Sequence, residues 1–143
     1  MTESTIALEI NLPTVLAEMV CAFAAYERAL LANDIEALNE LFWDSPLTLR
    51  YGVGELLYSH AEIADFRRVR GPIDQRRTLT HTRITTFGQD FATANTEFVP
   101  EGTTRAGQTG RQSQTWIRTP RGWKIASAHV SFLVAPLTPM GPA

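Results

Sequence analysis

A change of hydrophobic period limits this chain most. Up to about residue 76 the apolar residues recur at helical steps. From residue 77 onward they alternate in four runs, 78–87, 91–99, 109–119 and 123–133. Strand side chains point to opposite faces with a period of two, whereas helical ones return every three to four residues. The connections Gly88-Gln89-Asp90 and Pro120-Arg121-Gly122 suit hairpins, and 100–108 is a longer polar loop. Helices followed by a run of antiparallel strands specify an α+β fold.

The first half divides at its caps and breakers. Leu12, Leu16, Met19, Phe23, Tyr26 and Leu30 recur at steps of four and three, which predicts an amphipathic helix over about 12–32. Asn11 offers a cap and Pro13 sits in the tolerant first turn. Asn33-Asp34 closes this helix and opens a second, with Ile35, Leu38, Leu41 and Phe42 on its apolar side, stopped by Asp44-Ser45-Pro46. LTLRYGVGELLY, 47–58, reads as a short hairpin through Gly52 and Gly54. Ser59-His60-Ala61-Glu62 matches a capping box and starts a third helix. Ile63, Phe66 and Val69 form its apolar stripe, and Arg67, Arg68 and Arg70 crowd its last turn, where cations favour the helix dipole. The expected architecture is a cone, a curved antiparallel sheet wrapped around the long first helix, with two further helices and an internal cavity.

Bulk properties exclude several function classes. With 143 residues, 44% apolar and 20% charged, the chain is expected to be one domain, 1–143, with an irregular lead-in at 1–10 and an irregular proline-rich tail at 134–143. A formal net charge of -2 gives no footprint for nucleic acid. No apolar run approaches the roughly 20 residues that a membrane span needs. MTESTIALEI has no basic region ahead of an apolar one, so a cytoplasmic location is expected. Cys21 is alone, which rules out an internal disulfide or a cysteine metal cluster. Of 13 basic residues 12 are arginine, and composition alone attributes this to a GC-rich genome.

Candidate site residues come from the strands and the first helix. In the last run Trp123, Ile125, Ser127, His129 and Ser131 share one face, passing from apolar to polar, so His129 is expected to line the cavity. Ala126, Ala128, Val130 and Phe132 then lie on the opposite face, where small and apolar residues suggest a homodimer formed sheet to sheet. Gln112, Gln114 and Trp116 alternate with Arg111, Ser113 and Thr115. Gln114 is favoured inside, above Trp116, although a bulge would reverse this. Glu97, the one acidic residue within these strands, reads as a base or, more simply, as a salt-bridge partner for Arg50 or Arg83. By alternation alone Arg50 faces solvent, opposite Leu49 and Tyr51, and Tyr26 is a core aromatic. No histidine or carboxylate has metal-ligand spacing with His129, so neither metal nor cofactor is expected. GxSxG is absent and Cys21 falls off the helix stripe, which disfavours a covalent nucleophile.

The order of elements and the pattern GWKIASAHVS, 122–131, resemble the nuclear-transport-factor-2-like (SnoaL-like) superfamily. LFWDSPLTLRYGVGE (41–55), RTLTHTRITTFGQDFATANTEF (77–98) and GRQSQTWIRTPRGWKIASAHVS (110–131) resemble its AtzH-like group, found with oxalurate and cyanuric acid degradation. The resemblance implies an amidase-like hydrolase that converts 1,3-dicarboxyurea to allophanate. It matches the group's functional tyrosine to Tyr26 and its functional arginine to Arg50, which would bind a substrate carboxylate. Glu97, Gln114 and His129 are the further candidates for substrate binding. The alternatives are a non-catalytic, small-acid-binding dimer that assists a neighbouring amidase, and a ketosteroid-isomerase-like proton transfer with Glu97 as base.

Overall fold

A computed structural model describes residues 8–102 and 104–134; the remainder of the expected lead-in and tail lies outside the described residues. Three helices come first, α1 (Pro13–Leu31), α2 (Ile35–Leu41) and α3 (His60–Arg70), with the hairpin β1 (Leu49–Tyr51) and β2 (Leu56–Tyr58) between the second and third. The strands β3 (Arg77–Phe87), β4 (Phe91–Pro100), β5 (Gly110–Thr119) and β6 (Gly122–Phe132) follow. All six strands form one sheet in the order β2-β1-β6-β5-β4-β3. The expected sheet is antiparallel throughout. Instead β1 runs parallel to β6, with Arg50 opposite Ala128, so the sheet is mixed. The result is an α+β cone, a curved sheet around α1.

The caps act much as their side chains require. Asp34 accepts a hydrogen bond from the Ala37 amide and starts α2. Ser59 accepts from the Glu62 amide, while the Glu62 carboxylate reaches back to the Tyr58 amide, one residue beyond the usual box. Asn11 does not cap α1. Its side chain accepts from the Thr86 amide and its own amide donates to the Thr86 carbonyl. Gly88 donates to the Glu9 carbonyl, so residues 9–11 are tied to the end of β3 rather than frayed.

The core joins α1 to the inner sheet face. Val15, Met19, Phe23, Tyr26 and Leu30 of α1 pack with Leu38, Phe42, Ala92, Ala94, Trp116 and Ile125. On β4 and β5 the alternation holds: Ala92, Ala94, Thr96 and Phe98, then Gln112, Gln114 and Trp116, are buried. Among the described residues no helix is long and apolar enough to cross a membrane.

On β6 the expected alternation breaks. Thr115 pairs with Ser127 but Trp116 pairs with Ile125, which leaves Ala126 as an extra residue. One inserted residue exchanges the two faces of everything beyond it. Trp123 and Ile125 are inward as expected, but past the bulge it is Ala128, Val130 and Phe132 that face inward. His129 is exposed on the outer face, where its ring meets Tyr51 edge-on at 5.6 Å. The expected apolar outer face at Val130 and Phe132 is therefore corrected: those side chains line the interior.

Candidate active site

A cavity of about 300 Å³ opens between α1, α3, β1 and the inner face of the sheet. Tyr26 and Arg50 both line it. Tyr26 arrives from α1, in the same buried stripe as Met19 and Phe23, and is only 4% exposed. Its ring lies 6.5 Å from that of Phe42, and its hydroxyl has no hydrogen-bond partner among the described residues.

Arg50 faces inward, contrary to simple alternation. In the β1–β2 hairpin Arg50 pairs with Leu57, which packs against the core, while Tyr51 meets Tyr58 and His129 on the outer side. The short strand thus turns its aromatic residue outward and its arginine inward. Arg50 Nη1 donates to Glu55 Oε1 at 2.9 Å across the hairpin turn. Gly52 makes room for this pair, because a Cβ there would sit 1.8 Å from Glu55 Oε1.

Arg67 and Arg70 of α3 complete the cationic wall. The expected stripe of Ile63, Phe66 and Val69 is wrong at its end: Val69 is exposed, and Arg67 follows Ile63 into the interior one helical turn on. Arg67 is 4% exposed, lies 4.6 Å from the Phe42 ring centroid, and has Nη1 buried without a partner. Burial pushes its guanidinium down to about 10. The Tyr26 hydroxyl opposes that shift, while Arg50 and Arg70 add to it. Arg70 is lowered by its burial and then by Arg50. Arg67 remains a cation at neutral pH.

The sheet supplies the rest. Arg77 pairs with Glu27 and donates to Gln112 Oε1 at 3.0 Å, with its guanidinium 4.5 Å from the Phe98 ring. Gly110 lets Phe98 lie against β5, since a Cβ there would stand 2.2 Å from the ring. Asn33 clamps the α3–β3 connection by exchanging two hydrogen bonds with the Ile73 backbone, which holds Asp74 and Arg76 at the cavity wall. Hydrogen bonds from Arg76 hold the Asp74 carboxyl down to about 2.

Six of the 12 arginines line this cavity, against two carboxylates, in a chain whose net charge is -2. The lining therefore favours anions, and composition alone could not place these arginines together. Arg67 and Arg70 are the residues that the sequence reading left at a helix end. The signal available was the four-residue step from Ile63 to Arg67.

The other candidates lie elsewhere. Glu97 is on the outer face, 3.4 Å from His81 Nδ1, so its partner is neither Arg50 nor Arg83. His129 is outside the cavity for the reason given above. Gln114 is buried and inward, but its Oε1 accepts from Trp116 Nε1 at 3.0 Å, and Gln112, not Gln114, reaches the cavity. Among the described residues no three histidine, cysteine or acidic side chains cluster as metal ligands would.

A family model for AtzH-like proteins matches residues 8–136. The chain belongs to the AtzH-like family. Its fold is that of the nuclear-transport-factor-2-like superfamily. An AtzH-like chain of this kind is similar to a cystatin-like fold protein from Burkholderia xenovorans, at 46% identity and TM-score 0.83, covering 91% of this chain and 100% of that one. It is also similar to a protein of unknown function from Pectobacterium atrosepticum, at 47% identity and TM-score 0.82, covering 87% and 95%. A putative dehydratase of the nuclear-transport-factor-2-like family from Streptomyces avermitilis shares the fold at 22% identity and TM-score 0.73, covering 85% and 98%. No curated protein matches the sequence.

Proposed function

We propose that this AtzH-like chain is an amidase-like hydrolase of a small carboxylated urea, of the type that converts 1,3-dicarboxyurea to allophanate. The observation that carries the reading is the meeting of Tyr26 and Arg50 on one small, cation-lined cavity. The reaction adds water to a terminal carboxyl carbon and breaks its bond to nitrogen. The nitrogen takes a proton, and allophanate and bicarbonate leave. Arg50 binds a carboxylate and orients the scissile bond. The unpartnered Tyr26 hydroxyl donates to the oxygen on which charge develops, or holds the attacking water. Phe66, Phe98 and Phe132 on the wall lower the local dielectric and strengthen both interactions.

A binding module that assists a neighbouring amidase is the second reading. It is favoured by one observation: the two cavity carboxylates are engaged, Glu55 with Arg50 and Asp74 with Arg76, so neither is a free base. A proton-transfer enzyme has less support, because Glu97 is on the outer face. In either of the first two readings a second copy would pack on the outward sheet face around Tyr51 and His129.

The test is to follow 1,3-dicarboxyurea by carbon-13 NMR with the purified full chain. Catalysed appearance of allophanate and bicarbonate supports the hydrolase. A dicarboxylate-induced rise in melting temperature without any product supports the binding module and overturns the hydrolase.

A further inference from the structure

We infer that Arg67 is a second anion-binding group of the cavity and selects ligands with two acidic groups over ligands with one. The inference deepens the reading of the cavity as a carboxylate site and rests on it.

Three other arginines of the wall hold carboxylates, and Arg70, which is only partly buried, donates its Nε to the Gly71 carbonyl. Arg50 holds Glu55, Arg76 holds Asp74, and Arg77 holds Glu27. Arg67 forms no ion pair among the described residues, although it is among the most buried charged groups of the chain. An unpaired buried charge is costly, and the cost is relieved when an opposite charge arrives. Phe42 covers one face of the guanidinium at 4.6 Å, which leaves the in-plane edge that binds a carboxylate in bidentate fashion.

Gln112 adds an independent observation. It is 2% exposed and lines the same cavity. Donation from Arg77 identifies its Oε1, so the amide nitrogen is the free end, and Nε2 is buried without a partner. Five buried side-chain polar atoms among the described residues lack partners, and the two on cavity-lining residues, Arg67 Nη1 and Gln112 Nε2, are both donors. Their complement is an acceptor-rich group, neither a cation nor an alkyl chain. A cavity of about 300 Å³ limits the ligand to a small molecule. Arg50 takes one acidic group, and Arg67 with the Gln112 amide takes the second.

Malonate and malonamate test this, because they differ only in one carboxylate exchanged for a carboxamide. Calorimetric titration of the full chain is expected to show malonate binding at least about tenfold more tightly, the size of one charge-assisted hydrogen bond. Arg67→Met is expected to abolish that preference by weakening malonate alone, and Arg67→Lys to restore part of it. Ligand-free Arg67→Met is expected to melt no lower than the parent, because it removes an unpaired buried charge, so a lost preference is not misfolding. A preference that survives in Arg67→Met, an equal weakening of both probes, or no malonate binding to the parent would each overturn the inference. No product is read in this experiment. Intact selectivity with no turnover of 1,3-dicarboxyurea would sink the hydrolase alone.

Discussion

The two faces of the sheet treat their polar groups differently. On the outer face the groups find one another: Tyr51 and Tyr58 share a hydroxyl contact at 3.2 Å, and His81 stands 3.4 Å from Glu97. On the inner side Arg67 Nη1 and Gln112 Nε2 are buried without partners, on the cavity that Tyr26 also lines. A stable interior normally satisfies such groups. Exposed polar pairs need no ligand, whereas buried unmatched donors define what a ligand must bring. The difference separates a surface from a site better than the presence of histidine or glutamate does.

The largest test of this contrast is to place a charge on either face just beyond the bulge. Ala128→Asp would bury a carboxylate in the core, at an expected cost of about 3–5 kcal/mol of stability read by chemical denaturation, whereas Ser127→Asp on the outer side is expected to cost far less. The opposite order would mean that the bulge does not set the faces. Next, Arg50→Ala is expected to lower turnover of 1,3-dicarboxyurea by about a hundredfold or more, as loss of a positioning charge does, with an unchanged circular dichroism spectrum. Gly110→Ala pushes a methyl group into Phe98 and is expected to destabilise by about 1–3 kcal/mol. On the outer face, Glu97→Gln and His129→Ala are each expected to stay within about 0.5 kcal/mol of the parent and to leave turnover unchanged. A loss of activity in either would move the chemistry to the other face. The smallest effect concerns Asp74, whose folded pKa lies below its ordinary value because of Arg76. Its contribution is present above the ordinary carboxylate pKa of 3.8 and is lost as pH falls through about 2. The melting difference between the parent and Asp74→Asn should therefore close over that acid window.

Much of the fold was legible because its local signals agree. Asp34 and Ser59 cap where their side chains allow, and β4 and β5 keep a strict alternation from Ala92 to Phe98 and from Gln112 to Trp116. What misled was always a place where tertiary pairing overrides the local pattern. Nothing in WKIASAHVS marks Ala126 as supernumerary, because a bulge is a property of two strands. Arg50 looked solvent-facing because Leu49 and Tyr51 are larger and more apolar. The parallel pairing of β1 with β6, set far along the chain, decides otherwise. Arg67 was hidden by its type, since arginine at a helix end is usually explained by the dipole. Its burial follows only when Phe42 and the sheet close over it.

The most direct test of the central claim is the rate of allophanate formation from 1,3-dicarboxyurea by the parent and by Tyr26→Phe, measured side by side with their melting temperatures. The Tyr26 hydroxyl has no hydrogen-bond partner to lose in the folded chain, so the variant is expected to melt as the parent does. Its rate is expected to fall by about a hundredfold or more, the usual cost of one oxyanion donor. Equal rates in the two proteins would contradict the account.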